Sequence, residues 1–364
     1  MHRFLRSVIK TARCLLMAGG LALMGRDAVL IPDNPDLNDE VIRNLNAFVK
    51  DREAFADNTW KQLMQVARQW CRWCIVKGRP YLPVQADYLR DYLLELHENG
   101  RAPSTLKNHV RMLNMLHRQA GLIPAGDSQK VQRTLKKISR LAVVSGQTVG
   151  QAIPFRIADL NRVDAAWQDS DQLKVMRNRA FLFVAYNTLL RVSNIARLKV
   201  KDLVFQPDGH LLLNVGHTKT IMDGYGITKA LSPRAAASLI QWLTAAGLLE
   251  HSDAYVFCPV RRGNRANVHG KPLSLSNLER IFAAAWTVVH GEKTGAANKG
   301  RYATWTGHSA RVGAAQDMTE ANYSLAQIMH EGTWKKPETV VGYTRNLRAE
   351  KSVMIDLVEG RSNT

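Results

Sequence analysis

The sequence predicts a mainly α-helical protein with a small antiparallel β-sheet, divided into two domains. Three observations support this fold class. Apolar residues recur at helical spacing between residues 38 and 141, small uncharged residues follow at 142–152, and two strand-like runs flank the turn Asp208-Gly209. A chain of 364 residues, 46% of them hydrophobic, is long enough to form two separate cores.

Residues 1–36 form an N-terminal extension that precedes the helical pattern. An apolar run at residues 14–24 follows several basic residues, an arrangement that mimics a secretion signal. The run is too short to span a membrane. We therefore expect a disordered or helical extension.

Residues 37–141 are expected to form an all-helical domain. Three segments carry an i, i+3, i+4 apolar stripe: residues 59–75, 86–97 and 104–120. Cys71 and Cys74 have CxxC spacing, but both lie on the stripe, which favours core packing over a metal or redox site. The four cysteines of the chain give no disulfide framework, which is typical of a reducing cytoplasm.

The second domain is expected at residues 153–364, after a linker at 142–152. Residues 203–215 predict a β-hairpin around the Asp208-Gly209 turn, and residues 226–231 predict a third strand. Later helices are predicted at residues 274–289, 307–320, 325–331 and 337–345.

The charge of the chain indicates a polyanionic partner. Lys and Arg number 50 against 31 Asp and Glu, a net charge of +19, and the pI is near 10.0. Such a protein concentrates on nucleic acid and binds it in a salt-dependent way. Residues 101–140 contain nine Lys or Arg and one acid, Asp127. We interpret them as helices with a DNA-facing side, although a solvated helix face has a similar composition.

Four short motifs carry residue types that can hold a phosphodiester. They are Arg191 within residues 186–197, Lys219 within 216–220, His308 and Arg311 within 304–313, and Trp334 and Tyr343 within 332–343. A guanidinium fits two phosphate oxygens at once. If Gly307 opens a helix, His308 and Arg311 share one face near its N-terminus, where free N–H groups favour an anion. Taken singly, each residue could instead be structural, as an arginine that ends a buried helix or a half-buried aromatic.

Together these motifs resemble the tyrosine site-specific recombinases, the phage integrase family, and in particular its Cre- and Dre-like members. The resemblance extends from about residue 37 to the C-terminal region. It implies a two-domain clamp on duplex DNA, with a helical core-binding domain at 37–141, a linker at 142–152 and an α+β catalytic domain at 153–364. It implies no metal, no other cofactor and no ATP.

The resemblance implies that Tyr343 attacks phosphorus and forms a 3′-phosphotyrosyl bond, leaving a free 5′-hydroxyl. Four groups would stabilise the negative charge of the transition state: Arg191, Arg311, His308 and the Trp334 indole N–H. His308 would help to remove the phenolic proton, and Lys219 would protonate the leaving oxygen. The family carries Glu or Asp where this chain has Asn194, so we expect the geometry to be kept and the cleavage rate to be lower.

Two elements are implied to enter the major groove and contact bases. In the first domain the residues are Thr59, Lys61, Gln62, Ser104, Lys107 and Asn108. In the catalytic domain they are Ser276, Asn277, Glu279 and Arg280. Solvent exposure without a DNA contact is the alternative for each of them.

The resulting hypothesis is a recombinase that cleaves and rejoins DNA at paired inverted repeats, with excision, inversion or integration as the outcome. A homotetramer would assemble on two sites, one dimer on each, and the helix at residues 350–358 would dock into a neighbouring subunit. We expect a protein of the bacterial cytoplasm, encoded by a phage or mobile element, with no membrane partner. Two alternatives remain, a type IB topoisomerase and a DNA-binding regulator whose site is idle, which Asn194 suggests.

Overall fold

The computed structural model describes residues 39–146, 150–208, 210–216, 226–291 and 303–350, together with Leu21–Ala22, Ile31–Pro32 and Val358. Backbone contacts divide the chain into two compact units, Met1–Val149 and Gly150–Thr364. The division falls inside the region expected to be a linker. Each unit has its own hydrophobic core.

The first unit is helical, as its apolar stripes predict. Its helices are α1 (Asp39–Lys50), α2 (Asp57–Val76), α3 (Ala86–Glu98), α4 (Pro103–Ala120) and α5 (Gln129–Val144). Helix α5 continues past the expected start of the linker because Ala142 is buried and extends its apolar stripe. This unit also has one strand pair, β1 (Leu21–Ala22) with β2 (Ile31–Pro32), in the N-terminal extension. Most of that extension falls outside the described residues.

All five helices contribute side chains to the core of the first unit. Trp70 packs edge-on against Tyr92, with ring centroids 5.2 Å apart, and its indole donates to the Tyr81 carbonyl at 2.8 Å. Cys71 and Cys74 are free thiols, and Cys74 is fully buried. The interpretation as a core residue is therefore confirmed for Cys74, whereas Cys71 is half-buried.

The second unit surrounds a central helix with further helices and a small sheet. Its helices are α6 (Ile157–Trp167), α7 (Leu173–Thr188), α8 (Val192–Ile195), α9 (Pro233–Ala245), α10 (Leu275–His290), α11 (Ser309–Glu320), α12 (Leu325–Gly332) and α13 (Pro337–Glu350). Helix α7 is the central one: its residues 180–185 are all buried. A helix that is apolar on every side requires neighbours on every side.

The sheet of the second unit confirms the predicted hairpin and third strand. Its strands are β3 (Leu203–Phe205), β4 (Leu211–Val215) and β5 (Ile227–Leu231), paired antiparallel in that order. The pairing places Leu211 opposite Leu231 and Val215 opposite Ile227. Alternate residues of β4 face the core, as the period of a strand requires. The loop between β4 and β5, with Lys219, lies outside the described residues.

A shorter strand pair completes the secondary structure, β6 (Val260–Arg261) with β7 (Arg265–Ala266). None of the helices in the described part of the chain is both long enough and apolar enough to cross a bilayer.

Candidate active site

Arg311 lies at the centre of the candidate site, in the first turn of α11. It is 3% exposed, and the first eight residues of α11 are all buried. One guanidinium nitrogen donates to the carbonyl of Leu189, and the other donates to the carbonyl of Gly332 at 3.1 Å. Leu189 comes two residues before Arg191, and Gly332 two residues before Trp334. Arg311 therefore holds the backbone that leads to both of these residues.

Arg191 and Tyr343 both act on the pKa of Arg311. Burial lowers that pKa to about 10, the charge interaction with the Tyr343 side chain opposes the shift, and the charge of Arg191 adds to it. Arg311 remains charged at neutral pH, as guanidinium groups do in proteins. Two cationic groups and a phenol from distant parts of the chain thus share one site.

Trp334 and Tyr343 form the aromatic wall of the site. Their ring centroids are 5.6 Å apart at 73°, and the guanidinium carbon of Arg311 lies 4.9 Å from the Trp334 ring centre. The Trp334 indole N–H is buried and makes no hydrogen bond to any group in the described part of the chain. Buried donors are normally paired, and a phosphate oxygen would be a suitable acceptor here.

The turn before Trp334 depends on a close approach of backbone to ring. Helix α12 ends at Gly332, and a Cβ on this glycine would overlap the Trp334 indole. Thr333 then adopts a left-handed conformation with φ 50°. The short turn directs the indole onto the Arg311 guanidinium. A side chain at position 332 would therefore displace the indole and its N–H group.

His308 is the N-cap of α11 and is exposed. The helix begins at Ser309, two residues later than predicted, and the Gly307 N–H donates to the Glu279 carboxylate at 2.6 Å. The His308 ring lies perpendicular to the Tyr343 ring, with centroids 6.4 Å apart.

Arg191 reaches the site because α7 ends abruptly. Leu189 takes a left-handed conformation with φ 52°, and Arg191 then becomes the half-buried N-cap of α8. Asn194 follows one turn later, half-buried, and its N–H donates to the Arg191 carbonyl at 2.8 Å. Five of the six predicted catalytic residues are therefore brought together, and the sixth, Lys219, lies outside the described residues.

Comparisons with known proteins identify the family. The model of the phage integrase family matches residues 155–350, more than half of the chain. The chain belongs to the phage integrase family. Recombinase cre of Escherichia phage P1 is 39% identical over 323 residues, which cover 88% of this chain and 94% of that protein. A xerD-homologue integrase/recombinase of Selenomonas ruminantium is 22% identical over 335 residues, or 90% and 93% of the two chains.

Solved structures agree with the fold. XerH site-specific recombinase bound to palindromic difH substrate has a TM-score of 0.58 at 15% identity, covering 88% of this chain and 91% of that one. The Tn1549 transposon integrase in complex with transposon right-end DNA has a TM-score of 0.56 at 14% identity, covering 86% and 99%. The predicted fold class is confirmed. This phage integrase family member is a site-specific DNA recombinase of the tyrosine type.

Two groups of the recombinase site were not found from the sequence. Lys229 is 7% exposed, and its ammonium donates to the carbonyl of Glu331, next to the carbonyl that Arg311 holds. Burial lowers the pKa of Lys229, Glu331 raises it, and Arg311 lowers it. The signal was present, since Lys229 occupies an inward-facing position of β5. The second group, Gln316, is buried on α11. The sequence around it contains no motif that would have predicted a role in the site.

The predicted base-contacting residues lie on helix surfaces in both units. On α2 and α4, Lys61, Gln62, Ser104 and Lys107 are exposed, while Thr59 and Asn108 are half-buried. On α10, Ser276, Asn277, Glu279 and Arg280 are exposed. The Arg280 guanidinium donates to the side-chain Oδ1 of Asn277 at 3.1 Å. Glu279 differs from the others because its carboxylate holds the turn beside His308.

Proposed function

We propose that this recombinase cleaves and rejoins DNA through a covalent bond between Tyr343 and a 3′ phosphate, at paired inverted-repeat sites. The observation that carries the proposal is the placement of Arg311. This one side chain contacts Tyr343, holds the backbone before Arg191 and Trp334, and lies on the Trp334 ring. Such an arrangement suits a phosphate that is attacked by the phenol.

In the proposed reaction, the phenol oxygen of Tyr343 forms a bond to phosphorus while the bond from phosphorus to the 5′ oxygen breaks. His308 takes up the phenolic proton, and Lys219 gives a proton to the leaving oxygen. Arg191, Arg311 and the Trp334 N–H stabilise the charge that builds on the two non-bridging oxygens. Attack by the 5′-hydroxyl of a partner strand reverses the step, so the exchange is isoenergetic.

The assignment of Lys219 rests on its motif and on the strands that border its loop. The loop starts and ends at the paired residues Val215 and Ile227. Lys229, two residues further along β5, bonds the end of α12 that precedes Trp334. This contact supports the proposal, because it ties the base of the Lys219 loop to the site in which the lysine would act.

We assign DNA recognition to α2 and α4 of the first unit and to α10 of the second. A groove between α4 and α5 is lined by five cationic side chains and a single acid, Asp127: Lys107, Arg111, Arg118, Arg133 and Lys136. Cations at this density suit the phosphate backbone. The specificity residues are then the polar side chains on the same helices.

For assembly, we propose a homotetramer on two sites, with a dimer on each. The second unit has a largely apolar pocket that could accept a helix from a neighbouring copy, lined among others by Leu160, Phe183, Leu189, Ala314 and Met318. Val358, a helical residue near the C-terminus, is 76% exposed. The other apolar residues of that helix, Val353, Met354 and Leu357, lie outside the described residues. The tetramer would act on DNA in the bacterial cytoplasm.

The test begins with selection of bound sites from random DNA, because the cleavage substrates must contain the target sequence. A nicked suicide duplex of the selected site should then trap wild-type protein covalently, and the Tyr343→Phe variant should give no adduct. Two-site plasmids should yield excised or inverted products. Relaxed circles without exchange would support a topoisomerase, and binding without an adduct would support an idle regulator.

A further inference from the structure

The first residues of the catalytic unit lie across the helix that carries Arg311. We call residues 151–157 the leading segment, since they lead into α6 and include its first residue, Ile157. The Phe155 N–H donates to the Ser309 carbonyl at 3.0 Å, the Trp305 indole donates to the Pro154 carbonyl at 3.0 Å, and the Ile157 N–H donates to the Asp317 carboxylate at 2.9 Å. The bonds to Ser309 and Asp317 reach the first residue and the third turn of α11, and Trp305 lies just before the helix.

The contact between the leading segment and α11 is direct. A Cβ on Gly313 would overlap the backbone of Phe155, so the helix has no room for a side chain there. Phe155 is fully buried, with its ring centroid 4.7 Å from that of Trp305. Because interiors are close-packed, a shift of this segment is felt by the helix beneath it.

The same segment reaches the backbone of the nucleophile. The Gln151 side-chain amide donates to the Tyr343 carbonyl at 3.0 Å, and the Gln316 amide donates to that same oxygen at 2.9 Å. Arg156, also in the leading segment, donates to the Gln316 side-chain oxygen at 3.5 Å. That bond orients the Gln316 amide with its N–H group toward Tyr343. Both donors to this carbonyl are thus set by the leading segment.

Helix α13 also has a buried face, and the Thr344 hydroxyl is satisfied within the helix. Thr344 is fully buried and donates to the Val340 carbonyl at 3.1 Å, and Val340 is 1% exposed. The Tyr343 side chain is half-buried beside Arg311. The apolar contacts hold the helix in place, and the two amides act on the residue whose phenol must meet phosphorus.

We propose that Gln151 is a positioning residue for the nucleophile, through which the start of the catalytic unit controls where Tyr343 stands against Arg311. The inference rests on the proposed role of Tyr343. Gln151 is the second residue after the division between the two units. The Gln151 hydrogen bond therefore connects the start of the catalytic unit directly to the backbone of the nucleophile.

The test compares variants in the full-length protein. Gln151→Ala removes the donor, and Gln151→Glu places a carboxylate oxygen against the Tyr343 carbonyl oxygen. Gln316→Ala removes the other donor from a different element, so a folding defect in one variant does not decide the outcome. Gln168→Ala and Gln168→Glu are matched controls, because Gln168 is exposed on the same unit.

We expect Gln151→Ala to slow single-turnover cleavage of a suicide duplex about 5- to 10-fold, the effect of one hydrogen bond. Gln151→Glu should be slower still, and Gln316→Ala should resemble Gln151→Ala. DNA affinity and thermal midpoint should stay near wild type. A duplex with sulfur in place of the scissile 5′ oxygen needs no leaving-group protonation, so a defect in nucleophile placement should persist on it.

Cleavage within twofold of wild type by Gln151→Ala and Gln151→Glu would overturn the inference. A defect that vanishes on the sulfur substrate, or one that weaker DNA binding accounts for, would do the same. Failure of the wild-type protein to form a Tyr343 adduct is a separate result, because it would overturn the proposed function and this inference together.

Discussion

Arg311 and Trp334 form a stacked pair, with the guanidinium carbon 4.9 Å from the indole ring centre. The pair lets a buried cation and a buried N–H donor act from one side of the site. The indole ring also covers the guanidinium, which is 3% exposed, and so limits its contact with water. Charges in a site that excludes water stabilise a transition state more strongly than exposed charges do.

Trp334→Phe should separate the two properties of this pair. Phenylalanine retains a ring for Arg311 and Tyr343 but removes the N–H group, which has no hydrogen bond in the described part of the chain. Loss of one transition-state donor should slow cleavage roughly 10²-fold with little change in stability. Single-turnover cleavage and urea unfolding measure the two effects. If Trp334→Phe cleaved DNA at the wild-type rate, the indole N–H would have no role in the mechanism.

Arg311→Lys should fail although it preserves the charge. The guanidinium serves two carbonyls, those of Leu189 and Gly332, from two nitrogens in a fixed geometry. An ammonium cannot reproduce that fork. Covalent adduct formation should fall by roughly 10² or more. Arg162→Lys is the matched control, since its side chain is 67% exposed. Near-normal adduct formation by Arg311→Lys would mean that its charge alone is sufficient.

Asn194→Glu should increase the cleavage rate. Asn194 lies in the short helix that Arg191 caps, and a carboxylate there would add the charge that an amide lacks. We expect a gain of a few-fold, equivalent to about 1 kcal/mol in the barrier. Asn194→Gln, which remains neutral, is the control. An unchanged cleavage rate for Asn194→Glu would show that the neutral amide does not slow this recombinase.

The first unit should lose stability in mild acid because of His117. This ring accepts the Val84 N–H at 2.8 Å and contacts the Ile123 carbonyl at 2.7 Å. Burial lowers the pKa of His117, and burial also lowers that of His109. An unfolded histidine takes up its proton near pH ~6.5. The contribution of the neutral ring is therefore complete above about pH 6.5 and is lost as the pH falls toward the folded-state pKa.

Urea unfolding at about pH 7.5 and about pH 5.5 measures this effect. His117→Gln has no titrating ring and should reduce the difference between the two midpoints. His330→Gln should leave the difference unchanged, because that side chain is 87% exposed. Equal pH dependence in wild type and His117→Gln would assign the acid sensitivity to other groups.

Much of the fold could be read from local patterns. The stripes of α2, α3 and α4 and the hairpin of β3 and β4 depend on the periods of helix and strand, which any chain displays in its own sequence. Helix boundaries were less secure. Helix α11 begins at Ser309 and not at Gly307, and a carboxylate from α10 accepts the Gly307 N–H. A partner 28 residues away in sequence leaves no local signal.

The site residues could be predicted because four short motifs together resemble those of the tyrosine recombinases. Taken singly, each of these residues could have been structural. Their arrangement follows from packing. Arg311 is buried by residues from other parts of the chain. Lys229 donates to the Glu331 carbonyl, and Gln151 donates to the Tyr343 carbonyl, so both bonds join segments far apart in the chain. Such contacts exist only after the core has formed, because the free energy that orders them comes from burying surfaces that no single segment contains.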